Sequence, residues 1–213
     1  GEGGEAGQII YANDRGNKQL GSDWVPGDPN RGGRTDITWI VDTWDSCLDV
    51  PVADMLGAID RAMGTWQEVI CSEIPLTGVG AYDFDLGYVQ YLVGFGGTQG
   101  IAADITQAGW LPGAFFDIVG GPGGSTRILG VTFTFIWVDA GVPTDIDANG
   151  KTDVAFREIY YNDNFPWSID ANFDIETVVL HETGHGLSQA HFGKIFRDAG
   201  PGGLHFSPRA VMN

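Results

Sequence analysis

Three of the four histidines in this 213-residue chain fall within eleven residues, at His181, His185 and His191. The first two bracket an acid in the run His181-Glu182-Thr183-Gly184-His185, an H-E-x-x-H. On a helix, residues four apart face the same side as close neighbours, so this spacing serves chemistry if the stretch is helical, and no other feature constrains the fold as much. Independent signals agree. Asp174 stands as N-cap, Glu176 lies in the first turn, and Ile175, Val178 and Val179 supply an apolar side. On such a helix both imidazoles converge on one ion, and Glu182 starts beside the first of them, within reach of a water at the metal. With four histidines and seven glutamates in the chain, a chance H-E-x-x-H has odds on the order of 1 in 400, and adding His191 lowers them to roughly 1 in 20,000. Hydrolytic zinc sites use three protein ligands and keep a fourth position open. The spacing makes His191 the third ligand; Asp198, or His205 beyond Gly200-Pro201-Gly202-Gly203, is the rival.

The rest of the chain supplies one domain. Residues 1–35 read as an irregular N-terminal segment, with turn signals at Gly27-Asp28-Pro29-Asn30 and Arg31-Gly32-Gly33-Arg34. Residues 36–213 read as the functional domain. Asp36 to Trp44 alternates apolar and polar residues, a strand pattern. From Pro51 to about Ile70 a helical stripe runs through Val52, Leu56, Ile59, Met63, Trp66 and Ile70. The stretch 79–142 reads as β, with strands expected over Tyr88–Phe95, Ile101–Ile105, Ala114–Val119 and Ile128–Val138. Tyr160, Tyr161 and Trp167 are expected core aromatics, and the tail from Phe192 is irregular. Strand, helix, several strands, helix and coil make an α+β layout rather than an alternating βαβ one.

Charge narrows the function classes. Eleven Lys plus Arg against 28 Asp plus Glu leave −17, so the basic footprint that binds nucleic acid is missing and anionic membrane surfaces are disfavoured. No apolar run reaches the length of a membrane span, and the N-terminus carries no signal-peptide pattern. Asp is the hard oxygen ligand that calcium prefers. Asp145, Asp147, Asn149, Lys151 and Asp153 stand at positions one, three, five, seven and nine of a D-x-D-x-N-G loop, Lys151 contributing its backbone carbonyl. Phe156 occupies position twelve, where a calcium loop has a bidentate acid, and Glu158, from the strand that follows, is the candidate substitute. The alternative is a polar turn without an ion. Cys47 and Cys71, at the two ends of the first helix, are a candidate disulfide, provided the chain before the helix folds back.

His181 to His191, H-E-T-G-H-G-L-S-Q-A-H, resembles the signature of the metzincin zinc peptidases, H-E-x-x-H-x-x-G-x-x-H. Ala210-Val211-Met212-Asn213 resembles the Met-turn of that clan. The helix run 58–69 with Ile74-Pro75-Leu76-Thr77, the lead-in from Phe173, and Gly109–Phe116 are similar to bacterial matrixin-like catalytic domains. The resemblance covers roughly 36–213. It implies a twisted mixed β-sheet with two main helices, zinc held by His181, His185 and His191, Glu182 as general base, structural calcium, and Met212 beneath the metal. It also implies a secreted endopeptidase, its signal and propeptide absent from this chain, whose substrate lies extended along a sheet edge, either 109–117 or 128–138. Members of the family continue beyond the Met-turn, so a C-terminal part is expected to be missing. Ser188 stands where the signature has glycine, in a turn that requires positive φ, and Phe192 departs from the matrixin Ser or Thr after the third histidine. A zinc hydrolase acting on a non-peptide acyl bond, and a catalytically silent calcium-dependent binding module, are the alternatives; an intact Glu182 speaks against the latter.

Overall fold

Parallel strands need a crossover between them, and the first helix provides one. The computed structural model describes residues 7–13, 19–70, 74–191, 193–198, 204–207 and 211–212. Its elements are β1 Gly7–Asn13, β2 Ser22–Asp23, β3 Ile37–Asp42, α1 Val52–Gln67, β4 Leu76–Tyr82, α2 Tyr88–Val93, β5 Ile105–Leu111 and α3 Gly113–Val119. There follow β6 Gly130–Ile136, β7 Val138–Asp139, β8 Val142–Pro143, β9 Thr152–Asn162, β10 Trp167–Ser168, β11 Phe173–Asp174, α4 Ile175–Gly186, β12 Gly193–Asp198 and β13 Leu204–Ser207. The central sheet runs β4-β3-β5-β9 in parallel, with α1 joining the neighbours β3 and β4. β6 pairs antiparallel along the other side of β9 and forms that edge of the sheet. β2 pairs with the start of β9, and β1, β12 and β13 form a separate antiparallel sheet. The fold is thus mixed α/β, with a mostly parallel central sheet and four α-helices among the described residues. None of these helices is long and apolar enough to cross a membrane.

β9 is buried from Asp153 to Asn162, as a strand covered on both faces must be. On one face Ile105 and Ile159 meet α1 and α4 through Met55, Ile59, Met63, Ile175 and Val179, all at most 2% exposed. Burying each such side chain stabilises the fold by about 1.5–3 kcal/mol. On the other face Leu111, Phe115, Phe116 and Tyr160 form a second, aromatic cluster. Tyr161 and Trp167 are buried with Trp110 in the first.

Several expectations shift. The buried face of α1 is Met55, Ala58, Ile59, Ala62 and Met63. Val52 is exposed in the first turn, and Ile70 lies beyond the helix, which ends at Gln67, and is exposed as well. The expected strands Tyr88–Phe95 and Ala114–Val119 are the helices α2 and α3. Their β-forming composition was overridden by context. Glu158, from far along the chain, accepts the first backbone N–H groups of α2, and Gly94 ends it at positive φ. Pro112 precedes α3, and Phe115 and Phe116 are fully buried from one helical turn. The strand expected over Ile101–Ile105 begins where that run ends, as β5. The N-terminal segment contains β1 and β2, and the tail contains β12 and β13, where irregular chain was expected. Cys47 is a buried free thiol; its expected partner Cys71 lies outside the described residues.

Candidate metal centre

α4 begins as its sequence signals. The Asp174 side chain accepts the Thr177 N–H at 2.8 Å, satisfying one of the open donors of the first turn. Beneath the helix a buried polar chain fixes its rotation: the Tyr161 hydroxyl donates to Gln107 Oε1 at 2.6 Å, and the Gln107 amide faces Thr183 Oγ1 at 3.4 Å. The Trp66 indole donates to Leu180 O, and the Trp24 indole to Gly186 O, both at 2.8 Å. The Arg157 guanidinium donates to His185 O.

The three imidazoles meet. His191 Nε2 lies 2.9 Å from His181 Nε2 and 3.2 Å from His185 Nε2. His181 Nδ1 donates to Val211 O at 2.5 Å and His185 Nδ1 to Gln189 O at 2.8 Å. A carbonyl only accepts, so each of these Nδ1 atoms carries the proton and each Nε2 presents a lone pair. Lone pairs facing one another at such distances require a shared cation or proton. Three nitrogens bound tetrahedrally at about 2.0–2.1 Å from zinc would stand about 3.3 Å apart, close to the spacing seen. The residues therefore fit zinc, with the backbone carbonyls as the outer partners that orient the rings. Burial pushes His185 down to about 4 and lowers His191, which favours the neutral, ligating form of both. Asp198 ends β12, and His205 pairs with Phe196 in β13; His191 is the residue that joins the pair on α4.

Glu182 is 6% exposed. Burial pushes its carboxyl above the usual range, opposed by the neighbouring His181 and by a hydrogen bond from Thr132. Thr132, on the edge strand β6, bridges the backbone and side chain of Glu182, its hydroxyl 2.9 Å from Oε2 and 3.0 Å from the carbonyl. Gly130 makes room for this approach: a Cβ there would lie 2.7 Å from Glu182 Cγ. Below the helix Met212 is buried, and a Cβ on Gly184 would fall 2.2 Å from its sulfur. Ser188 adopts φ +71, as its place in the turn requires, and its buried hydroxyl has no partner.

The acidic loop is assembled in part. Asp145, Asp147 and Asp153 bring carboxylate oxygens within 4.8 Å of one another. Asn149 lies among them, its amide nitrogen 3.0 Å from Asp147 Oδ2, and Lys151 follows in the same turn, its N–H on Asn149 Oδ1 at 2.9 Å. Glu158 does not take part. Five residues along β9 separate it from Asp153, about 16 Å in a strand and on the opposite face, and its carboxylate is taken by Tyr88 N, Val89 N and the Tyr160 hydroxyl. Asp23 arrives instead from β2. Its Oδ2 lies 2.9 Å from the Asn149 amide and 3.3 Å from Lys151 Nζ, and its Oδ1 is buried without a partner. No local signal pointed to Thr132 or Asp23, since each reaches its site through strand pairing.

No protein-family model matches the chain, and no curated protein sequence does. The site's geometry is therefore what speaks for its chemistry.

Proposed function

We propose that the chain is a zinc-dependent endopeptidase of metzincin type, similar to bacterial matrixin-like catalytic domains. The observation that carries this reading is the convergence of His181, His185 and His191 at 2.9–3.2 Å beside a buried Glu182 held by Thr132. The Ser188 turn at positive φ and Met212 packed under Gly184 support the clan assignment. Zinc, when bound, supplies Lewis acidity to the scissile carbonyl and makes a water more acidic. Glu182 takes the proton from that water and later delivers it to the leaving amine. Its raised proton affinity suits a group that must both accept and donate near neutral pH. The Thr132 hydroxyl holds the carboxylate in one orientation. Of the two expected edges, we take 128–138, because β6 is the outer strand beside β9 whereas residues 109–111 belong to β5, which pairs with both β3 and β9. An extended substrate pairs its main chain with the free side of β6. Structural calcium in the loop of Asp145, Asp147, Asn149 and Asp153, with Asp23 in place of Glu158, and a secreted location complete the reading.

The test is zinc content and cleavage of an unstructured protein such as casein, for the native chain and for Glu182→Gln. Both bind one zinc per chain, and the variant cleaves more slowly than the native chain by about 10²–10⁴-fold. Zinc at one per chain without cleavage by the native protein sinks the proposal.

A further inference from the structure

Three carboxylates outside the zinc centre and the acidic loop also face one another. Asp42 ends β3, Asp45 follows in the next turn, and Asp85 lies between β4 and α2; each places an oxygen within 4.8 Å of the others. Asp42 is fully buried. It accepts backbone N–H groups from Trp44 at 2.6 Å, Asp45 at 3.3 Å and Leu86 at 2.7 Å, which pin both loops to it. Among the described residues no Lys or Arg forms an ion pair with any of the three. Clustered acids usually sit in water, where their repulsion is screened; here the repulsion acts across a buried carboxylate.

Gln90, on α2 and fully buried, points its amide head into this group. Its Nε2 donates to Asp45 Oδ2 at 3.1 Å and to Asp85 Oδ1. Its Oε1 is buried and has no partner at all. A buried amide oxygen left unpaired costs about 1–3 kcal/mol in an otherwise satisfied interior. Rotating the amide by a half-turn exchanges its nitrogen and oxygen, which are sterically near-equivalent. The oxygen then faces the carboxylates, an arrangement that a cation at their centre makes favourable. Room on the Asp85 side comes from Gly96, where a Cβ would lie 2.5 Å from Asp85 Oδ2.

We propose that Asp42, Asp45, Asp85 and the Gln90 amide oxygen form a calcium site separate from the Asp145–Asp153 loop. The donors are all hard oxygens, as calcium prefers, and three carboxylates with one amide can supply most of the six to eight ligands it takes. Magnesium's stricter octahedron at shorter distances suits this spread less. The ion ties the loop before α2, and α2 itself, to the end of β3. The site requires neither zinc nor peptidase activity.

The experiment counts calcium by equilibrium dialysis and metal analysis on the zinc-loaded full chain. The variant Asp145→Asn/Asp147→Asn disables the acidic loop and leaves the cluster native. It is expected to retain one calcium per chain and to melt higher with calcium than with equal magnesium. In that background Gln90→Met, a volume-conserving change, weakens binding about tenfold or more, and Asp85→Asn abolishes it. No calcium on the loop variant overturns the proposal, as does binding that neither Gln90→Met nor Asp85→Asn alters. Where Asp85→Asn fails to fold by circular dichroism, the Gln90→Met titration decides.

Discussion

Replacing Ser188 by glycine tests the turn that delivers His191. At φ +71 a residue with a Cβ is strained, by about 1–2 kcal/mol relative to glycine. The Ser188 hydroxyl is buried without a hydrogen bond, which adds about 1 kcal/mol at the low end for such a group. Against these gains, glycine loses about 0.5–1 kcal/mol more backbone entropy on folding. The balance is a stabilisation of about 2 kcal/mol. In a domain of this size that raises the melting temperature by about 4–8 °C, measured calorimetrically on the zinc-loaded protein, with the urea midpoint rising and its slope unchanged. Ser188→Ala separates the parts, because it removes the hydroxyl and keeps the strain; it recovers about 1 kcal/mol. Peptide cleavage stays within about twofold, since the backbone path to His191 is the same. A Ser188→Gly protein that melts at or below the native temperature would refute the strain argument and the reading of Ser188 as a tolerated departure in this turn.

Gly184→Ala places a methyl 2.2 Å from Met212 Sδ and 3.0 Å from Trp66 Cζ2, so it should destabilise by about 1–3 kcal/mol and release zinc faster to a competing chelator; unchanged release would show that Met212 does not brace the helix. Burial raises the Asp42 carboxyl to about 7, so between about pH 4 and 7 the folded state holds a proton that the unfolded state has lost, and stability falls as pH rises through that window. In calcium-free buffer Asp42→Asn should flatten this fall; an identical pH dependence in the variant would remove Asp42 as its source. Arg31→Leu leaves Asp104 buried beside Thr38 without its guanidinium partner at 2.9 Å, at a cost of about 3–5 kcal/mol read from the urea midpoint; a loss below about 1 kcal/mol would contradict the pair's role.

What could be read in advance followed the range of the interactions. α4 was legible because its cap, its acidic first turn and its apolar side all lie within a dozen residues, and H-E-x-x-H has meaning only on a helix. β3 and β6 were legible from β-branched and aromatic runs. α2 and α3 were not, because the group that receives the first N–H groups of α2 is Glu158, 70 residues away, and because buried Phe115 and Phe116 look alike in a strand and in a single helical turn. The acidic loop was recognisable from spacing, yet the acid beside it is Asp23. Strand period 2 and a rise of about 3.3 Å per residue put Glu158 on the other face and out of reach, while the β2–β9 pairing sets Asp23 opposite Asp153.

The N-terminal segment shows how the metal helix is held from outside its own sequence. A helix ends with open carbonyls, and those of His185 and Gly186 lie within the turn that carries the second histidine. Trp24 donates to Gly186 O at 2.8 Å, and Arg157 donates to His185 O. Two guanidiniums lie over the Trp24 ring, Arg31 at 4.9 Å and Arg157 at 5.6 Å from its centroid. Arg31 is neutralised by Asp104, whose carboxyl is raised by burial but lowered further by Arg31 and Thr38. Among the described residues Arg157 has no carboxylate at ion-pair distance, and burial lowers it to about 9. Its compensation is the negative end of α4, together with Ser22 O and Oγ. A buried cation matched to a helix C-terminus keeps its position only while that helix keeps its own, so the sheet strand β9, the segment around Trp24 and the turn carrying His185 are coupled. That coupling holds the turn that carries His185, and it explains why residues read as an irregular N-terminal segment belong to the same folded unit as the three histidines.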